Sequence, residues 1–112
     1  MKKLGLVLLL AVLASCTSPK ESGVKAIVGA RLEAGAGHEP IDYSVVVIEG
    51  GKIRAAGTEA AVPVPKGSEI TRGKGMTIEP LPGGEPIEPG KPANLILRGS
   101  TERVMRNGEW VQ

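Results

Sequence analysis

The sequence predicts an all-β fold, a small β-sandwich or partly open barrel built from about seven to eight short strands. The first observation is the scarcity of aromatic side chains, since phenylalanine is absent and Tyr43 and Trp110 are the only aromatic residues. The core must therefore be built from valine, isoleucine, leucine and alanine, which suits closely packed sheets. The second is that short β-branched runs alternate with turns, which draw on 16 glycines and 9 prolines. The third is that no segment beyond the N-terminal apolar run indicates a helix.

The N-terminal segment has the form of an export signal that is cleaved off. Two lysines precede an apolar run at residues 4–13, and two small residues follow it. The run is too short to span a bilayer. Because Cys16, the only cysteine, comes directly behind it, the pattern resembles the lipobox of bacterial lipoprotein signal peptides. The resemblance implies that a signal helix at residues 1–15 is removed and that Cys16 carries a diacylglycerol. The alternative is a buried free cysteine behind an ordinary secretory signal.

Behind the signal we expect a short tether and one folded domain. Residues 16–23 are small, polar or turn-forming, as in a flexible tether, and the domain occupies residues 24–112. Without the two signal lysines, twelve basic residues balance twelve acidic ones, and neither sign is clustered. We therefore expect no nucleic acid binding, and contact with a lipid bilayer only through lipidated Cys16. A single cysteine also excludes an intramolecular disulfide.

The first half of the domain predicts a strand, a loop and a hairpin. Apolar residues alternate with polar ones in residues 24–32, which predicts one half-buried strand. Residues 35–40 form a loop, and the β-branched run at 43–48 predicts a strand buried on both sides. Two glycines in the turn at 49–52 supply the positive φ angles of a tight hairpin, so residues 53–56 return as its second strand.

The second half is interrupted by prolines. Prolines at alternate positions of residues 61–65 remove ladder donors and predict an extended edge or connector. Five prolines and three glycines in residues 79–92 exclude a regular helix and predict an irregular crossing. Short strands are expected at 69–71, 76–78, 93–97, 103–106 and 109–111, the last two joined by the hairpin signal Asn107-Gly108.

The order of these segments carries a resemblance to a known family. Residues 45–57 match a first hairpin, 61–70 a proline-rich stretch and strand, 75–80 a strand that runs to a proline, 87–97 a re-entering segment, and 103–111 a terminal hairpin. In this order they resemble the non-barrel β-sandwich domain of the amidohydrolase superfamily of metal-dependent hydrolases. The resemblance implies a sandwich with an N-terminal part at 24–80 and a C-terminal part at 87–112.

The catalytic barrel of that family is missing between the two parts. The family has a (β/α)₈ barrel there, a unit of about 250 residues, whereas residues 81–86 are all that joins the parts here. The family's first metal ligands, a His-x-His pair, should follow Pro80, where this chain reads Leu-Pro-Gly-Gly. The chain has one histidine, and a catalytic zinc needs about three protein ligands. The resemblance therefore implies a supporting domain with no catalytic residue, no metal and no cofactor.

Three side chains that could carry chemistry have plainer interpretations. His38 lies between loop glycines and Pro40, so we expect a solvated residue with no group nearby to orient its ring. Glu85 and Glu88 stand among prolines that exclude a helix, and we interpret them as linker charges.

The remaining candidates are turn or loop residues. Ser100 and Thr101 have no base nearby in sequence and belong to the loop before the last hairpin. The glycines at 35 and 37 lack the third glycine of a phosphate-binding loop and indicate a turn. Asn94 and Arg72 stand where the resemblance implies aspartates, which we interpret as a sign of relaxed constraint.

Three functions remain open. The first and preferred one is a non-catalytic, membrane-anchored binding or structural module, in which a protein partner or self-association covers the apolar surface that would face a barrel. The second is the supporting half of a metal-dependent hydrolase acting on carbon–nitrogen bonds other than peptide bonds, with the barrel supplied by another chain. The third is a truncated remnant of an exported amidohydrolase.

Thr17 replaces the aspartate of an inner-membrane retention signal, so we expect a bacterial cell-envelope location, on the outer membrane facing the periplasm if the host has two membranes.

Overall fold

The computed structural model describes residues 23–112, and in this part of the chain the fold is all-β, as predicted. The described residues form nine short strands, more than the seven to eight expected, and no helix. The strands are β1 (Val24–Val28), β2 (Arg31–Leu32), β3 (Ser44–Glu49), β4 (Lys52–Thr58), β5 (Glu69–Arg72), β6 (Thr77–Pro80), β7 (Leu95–Arg98), β8 (Glu102–Arg106) and β9 (Glu109–Trp110). The predicted signal helix and Cys16 lie outside the described residues.

The strands form two open mixed sheets. The first sheet has the order β4-β3-β1-β5, and the second has the order β2-β6-β7-β8-β9. Each sheet contains one parallel pair, β1 with β5 in the first and β2 with β6 in the second. The other neighbours are antiparallel. Because β6 pairs with β7, the N-terminal and C-terminal parts predicted from the sequence meet as neighbours in the second sheet.

The two sheets share one aliphatic core. Its largest members are at most 2% exposed, and both sheets supply them: Ile27, Val46, Ile48 and Ile53 from the first, and Leu32, Ile78, Leu95, Leu97 and Met105 from the second. Trp110 is only partly buried and packs against the edge of this cluster. The core is therefore built from the residue types that the composition required.

The outer face of the first sheet is also apolar and is covered by the chain itself. Successive strand residues point to opposite faces, so Val45 and Val47 pack with Val24 on the face away from the shared core. The connection from β4 to β5, residues 59–68, must pass from one edge of this sheet to the other. Val62 in this crossing packs against the three valines. The proline-rich segment is thus a connector, as predicted, and β3 is buried on both sides, as predicted.

The prediction of a single strand at residues 24–32 is wrong. β1 ends at Val28, Gly29 has a φ of 95°, and β2 belongs to the other sheet. The alternation of apolar residues continues through the break, but the surroundings change: Val24 packs on the outer face, whereas Ala30 and Leu32 join the shared core. A positive φ is adopted readily only by glycine, so Gly29 was the sequence signal for this change of sheet.

Both predicted hairpin turns are present, and their tips are in contact. Gly50 and Gly51 have φ angles of 65° and 79°, and Asn107 and Gly108 have 49° and 83°. Two successive positive φ angles are what a two-residue hairpin turn of this kind requires. A Cβ atom built on Gly108 would lie 2.7 Å from the Cα of Gly51, so the close approach of the two turns depends on glycine.

Candidate functional site

The segment after the 81–86 turn brings the two halves of the chain together. The Ile87 N–H donates to the Ala34 carbonyl at 3.0 Å, which brings the chain back to the segment just after β2. The Ile53 N–H donates to the Lys91 carbonyl, and the Gly90 N–H donates to the Ile53 carbonyl, each at 2.8 Å. The segment that carries these bonds is irregular, as its prolines predicted, but it is hydrogen-bonded to the β3–β4 hairpin of the first sheet. This path carries Glu88 to the loop that follows β2.

His38 and Glu88 form a side-chain pair that sequence reasoning missed. The His38 Nε2 lies 2.6 Å from the Glu88 Oε2, although the residues are 50 positions apart in the chain. The side chains are 48% and 33% exposed. The expectation that no group lies near enough to orient the His38 ring is therefore wrong, and Glu88 is more than a linker charge. The pairing was not visible in the sequence because it depends on how the proline-rich segment bends back.

The pair stands at an apolar groove of about 300 Å³. The groove is lined by Leu32, Ala34, His38, Glu39, Ile41, Ala56, Ile87, Glu88 and Pro89. A carboxylate bonded to one imidazole nitrogen fixes the orientation of the ring, as it does for a general base or a ligand-orienting histidine. No serine, threonine or cysteine is among these lining residues. The groove is thus suited to hold a small apolar group beside an oriented polar pair.

The other residues singled out from the sequence are structural. Glu85 pairs with Lys91 at 3.3 Å within the connecting segment. Gly35 accepts a backbone hydrogen bond from the His38 N–H at 3.0 Å, which confirms a turn at this position. Ser100 and Thr101 lie between β7 and β8, and the Gly99 N–H donates to the Thr101 carbonyl at 2.9 Å, so this region is a loop, as expected.

Asn94 has a structural role, which corrects the interpretation of relaxed constraint at that position. Its Oδ1 accepts a hydrogen bond of 2.7 Å from the backbone N–H of Asn107, in the last hairpin turn. A carboxylate oxygen of aspartate could accept the same bond, so asparagine and aspartate are equivalent as acceptors for this contact. Arg72 is the last residue of β5, one residue beyond the strand predicted at 69–71.

A polar surface around Arg31 was not predicted. The Arg31 Nε lies 3.1 Å from the Glu33 Oε2, and its Nη1 lies 2.9 Å from the Asp42 Oδ1. The hydrogen bonds to Glu33, and then to Asp42, raise the pKa of Arg31 above its ordinary value. The neighbouring Tyr43 is 63% exposed and has a φ of 52°. The sequence signal that could have indicated this surface was a lone tyrosine at the start of a buried strand, next to an acidic residue.

Two further classes of site were sought in residues 23–112. In that range no group of three or more histidine, cysteine, aspartate or glutamate side chains is arranged to hold a metal ion. Nor does that range contain a helix whose length and hydropathy would allow it to cross a membrane.

Residues 23–112 thus form an all-β domain, in which two open mixed sheets pack around a shared core. Among solved structures, the chain is similar to molinate hydrolase, whose structure and catalysis have been characterised. The likeness has 32% sequence identity and a TM-score of 0.47, and it covers 54% of this chain and 13% of that chain. The matched region is thus about half of this chain and a small part of that one. No protein-family model matches the sequence, and no curated protein matches it.

Proposed function

We propose that this protein is a membrane-anchored, non-catalytic lipoprotein whose amidohydrolase-like β-sandwich acts as a binding or structural module. In this proposal, Cys16 carries a diacylglycerol that holds the domain at the bacterial cell envelope. The domain faces the periplasm from the outer membrane if the host has two membranes. The only expected membrane contact is the lipid.

The observation that carries the proposal is the way the chain joins its two parts. β6 ends at Pro80 and its antiparallel partner β7 begins at Leu95, with those two residues paired. Between them the chain makes a tight turn, in which the Gly84 N–H donates to the Leu81 carbonyl at 2.8 Å. Ile87 is already buried in the shared core, at 4% exposure. The two parts thus complete one core directly, which supports a domain that works without a barrel in its own chain.

The alternative is the supporting half of a hydrolase of non-peptide carbon–nitrogen bonds, with a barrel supplied by another chain. One observation favours it. The apolar groove beside His38 and Glu88 lies at the end of the sandwich where Gly35 approaches Pro80 and Pro86. This is the junction at which the resemblance implies a barrel, so a separate barrel chain would dock here.

Lipid attachment is tested by expressing the full chain in a bacterium supplied with radiolabelled palmitate. The wild-type chain should incorporate label and sediment with membranes, while Cys16→Ser should do neither. Ser18→Ala, which leaves the cysteine in place, is the matched control and should behave as the wild type does. Label in the Cys16→Ser chain, or none in the wild type, would contradict the anchor.

The non-catalytic role is tested by gentle purification of the full chain from its native membranes, followed by metal analysis and mass spectrometry. Our proposal expects no stoichiometric transition metal and no hydrolysis of cyclic amides or ureas, even with added zinc. Near-stoichiometric zinc in a co-purifying barrel chain would contradict the non-catalytic role and would favour the two-chain hydrolase.

A further inference from the structure

Tyr43 is held in a conformation that has an energetic cost. Its φ of 52° lies in the left-handed region, which is unfavourable for a residue with a side chain. The residue is 63% exposed, so core packing does not offset that cost. Strained residues that persist are held by their surroundings and cluster at functional sites. Tyr43 is therefore a candidate for function.

The residue after Tyr43 fixes this conformation. Ser44 is fully buried, and both its N–H and its hydroxyl donate to the carbonyl of Ala30 at 2.8 Å. The Ser44 carbonyl accepts the Gly29 N–H, also at 2.8 Å. These three bonds tie the start of β3 to the point where the chain changes sheets. The Tyr43 ring is thus presented to solvent from a rigid base.

Tyr43 lines two grooves, which also share Gly29. One groove, of about 370 Å³, is lined by Gly29, Arg31, Asp42, Tyr43, Gly75, Met76 and Thr77. The other, of about 320 Å³, is lined by Val28, Gly29, Tyr43, Glu59, Arg72 and Lys74. Each is at the lower end of the range for small-molecule sites, about 300–1,000 Å³. The dimensions suit one small ring seated against the tyrosine.

The two grooves offer both donors and acceptors. Within residues 23–112, Arg72, Lys74 and Glu59 make no ion pair, so their charged groups are available to a ligand. In the first groove, the Asp42 Oδ1 lies 2.9 Å from the Arg31 Nη1. The cations can bind a carboxylate, and the carboxylates can accept hydrogen bonds from hydroxyl groups.

We propose that Tyr43 and the two grooves beside it bind a carboxylated sugar of the uronic acid class. The apolar face of a sugar ring would pack on the tyrosine ring. Its carboxylate would pair with Arg72 and Lys74, and its hydroxyl groups would donate to Asp42 and Glu59. This inference goes beyond the proposed function and depends neither on the lipid anchor nor on the absence of catalysis.

The charges around Tyr43 favour a sugar acid over a phosphate-rich ligand. Three cationic and two acidic side chains line the grooves, and this small excess of positive charge matches a ligand with a single negative charge. Tyr43 is also a single aromatic platform, whereas single-stranded nucleic acid binds to several platforms along a basic track. A ligand with one negative charge and several hydroxyl groups matches this set of donors and acceptors.

The test is an NMR titration of the isotopically labelled full chain with glucuronic acid, with a short uronic acid oligomer, with glucose and with inorganic phosphate. Glucuronic acid should shift amide signals of residues 42–44 and 72–75 and should bind about tenfold more tightly than glucose, because its carboxylate adds charge-assisted bonds. Tighter binding of the oligomer would identify a polymer as the source of the sugar, and equal binding would identify the free sugar.

Three variants separate the contribution of the Tyr43 ring to binding from that of the cations. Tyr43→Asn keeps a residue that tolerates the left-handed region and removes the ring, and it should weaken glucuronic acid binding about tenfold. Arg72→Gln should remove most of the advantage over glucose. Lys66→Gln removes a cation that lines neither groove and should change nothing.

Several results would overturn the proposal. Equal binding of glucose and glucuronic acid, or equal losses in the Arg72 and Lys66 variants, would exclude recognition of the carboxylate. Phosphate binding that matches that of glucuronic acid and survives Tyr43→Asn would show a general anion site. Shifts of amide signals that are confined to other parts of the domain would exclude the two grooves as the binding site.

Discussion

Substitution of Gly108 by alanine tests whether contact between the two hairpin turns stabilises the fold. The added Cβ would lie 2.7 Å from the Gly51 Cα and 3.3 Å from its nitrogen, whereas ordinary contacts lie at 3.4–4 Å. Both neighbouring atoms are backbone, so neither can move aside as a flexible side chain would. The Gly108 N–H also donates to the Ala93 carbonyl at 3.0 Å, which holds the turn in place.

The expected cost has two parts. An alanine at the φ of 83° loses about 1–2 kcal/mol because the left-handed region is unfavourable. Overpacking against backbone adds about 1–3 kcal/mol. Gly108→Ala should therefore lower the free energy of unfolding by about 2–5 kcal/mol, a large share of the 5–15 kcal/mol typical of a domain.

The matched control is Gly75→Ala. Gly75 has a φ of 82°, nearly the same as that of Gly108, but a Cβ there would meet nothing within 4 Å. Urea unfolding of the purified protein should show the Gly108 variant to be less stable than the Gly75 variant by about 1–3 kcal/mol. Equal free energies of unfolding would refute the reasoning, because the contact between the turns would then contribute nothing.

Four further substitutions, at three positions, test other contacts by the same urea unfolding measurement. Asn94→Ala should cost about 1 kcal/mol because the Asn107 N–H loses its acceptor, whereas Asn94→Asp should cost less than half of that; equal losses would contradict the assigned bond. Val62→Ala should cost about 2 kcal/mol through lost packing on the outer face, and no change would show that the crossing does not protect that face. Ser44→Ala should cost only about 0.5–1.5 kcal/mol, because the Ala30 carbonyl still accepts the Ser44 N–H; a loss above about 3 kcal/mol would point to a different role.

Local patterns in the sequence were sufficient to predict most of the strands. Asn107-Gly108 and the paired glycines at 50 and 51 specify hairpins through backbone conformation alone, and both hairpins are present. The β-branched run of β3 predicted burial on both sides, which the shared core and the crossing at 59–68 provide. These features depend on residues close together in the chain, which is why the sequence reveals them.

Features that depend on long-range geometry were missed. The change of sheet at Gly29 leaves the apolar alternation intact, so periodicity alone cannot reveal it. The pairing of His38 with Glu88 requires the proline-rich segment to bend back across 50 positions of sequence. The exposure of Tyr43 follows from a φ angle imposed by Ser44 and Ala30, and it does not follow from residue type.

The late position of β7 and β8 in the chain has a consequence for synthesis. Leu95, Leu97 and Met105 are fully buried or nearly so against the inner face of the first sheet, which stays exposed to water until these residues have been made. At about 5–20 residues per second, the stretch from β6 to β9 takes roughly 2–6 s to synthesise. Until that point a nascent chain lacks a complete core, so the domain can complete its fold only after nearly all of it has been synthesised.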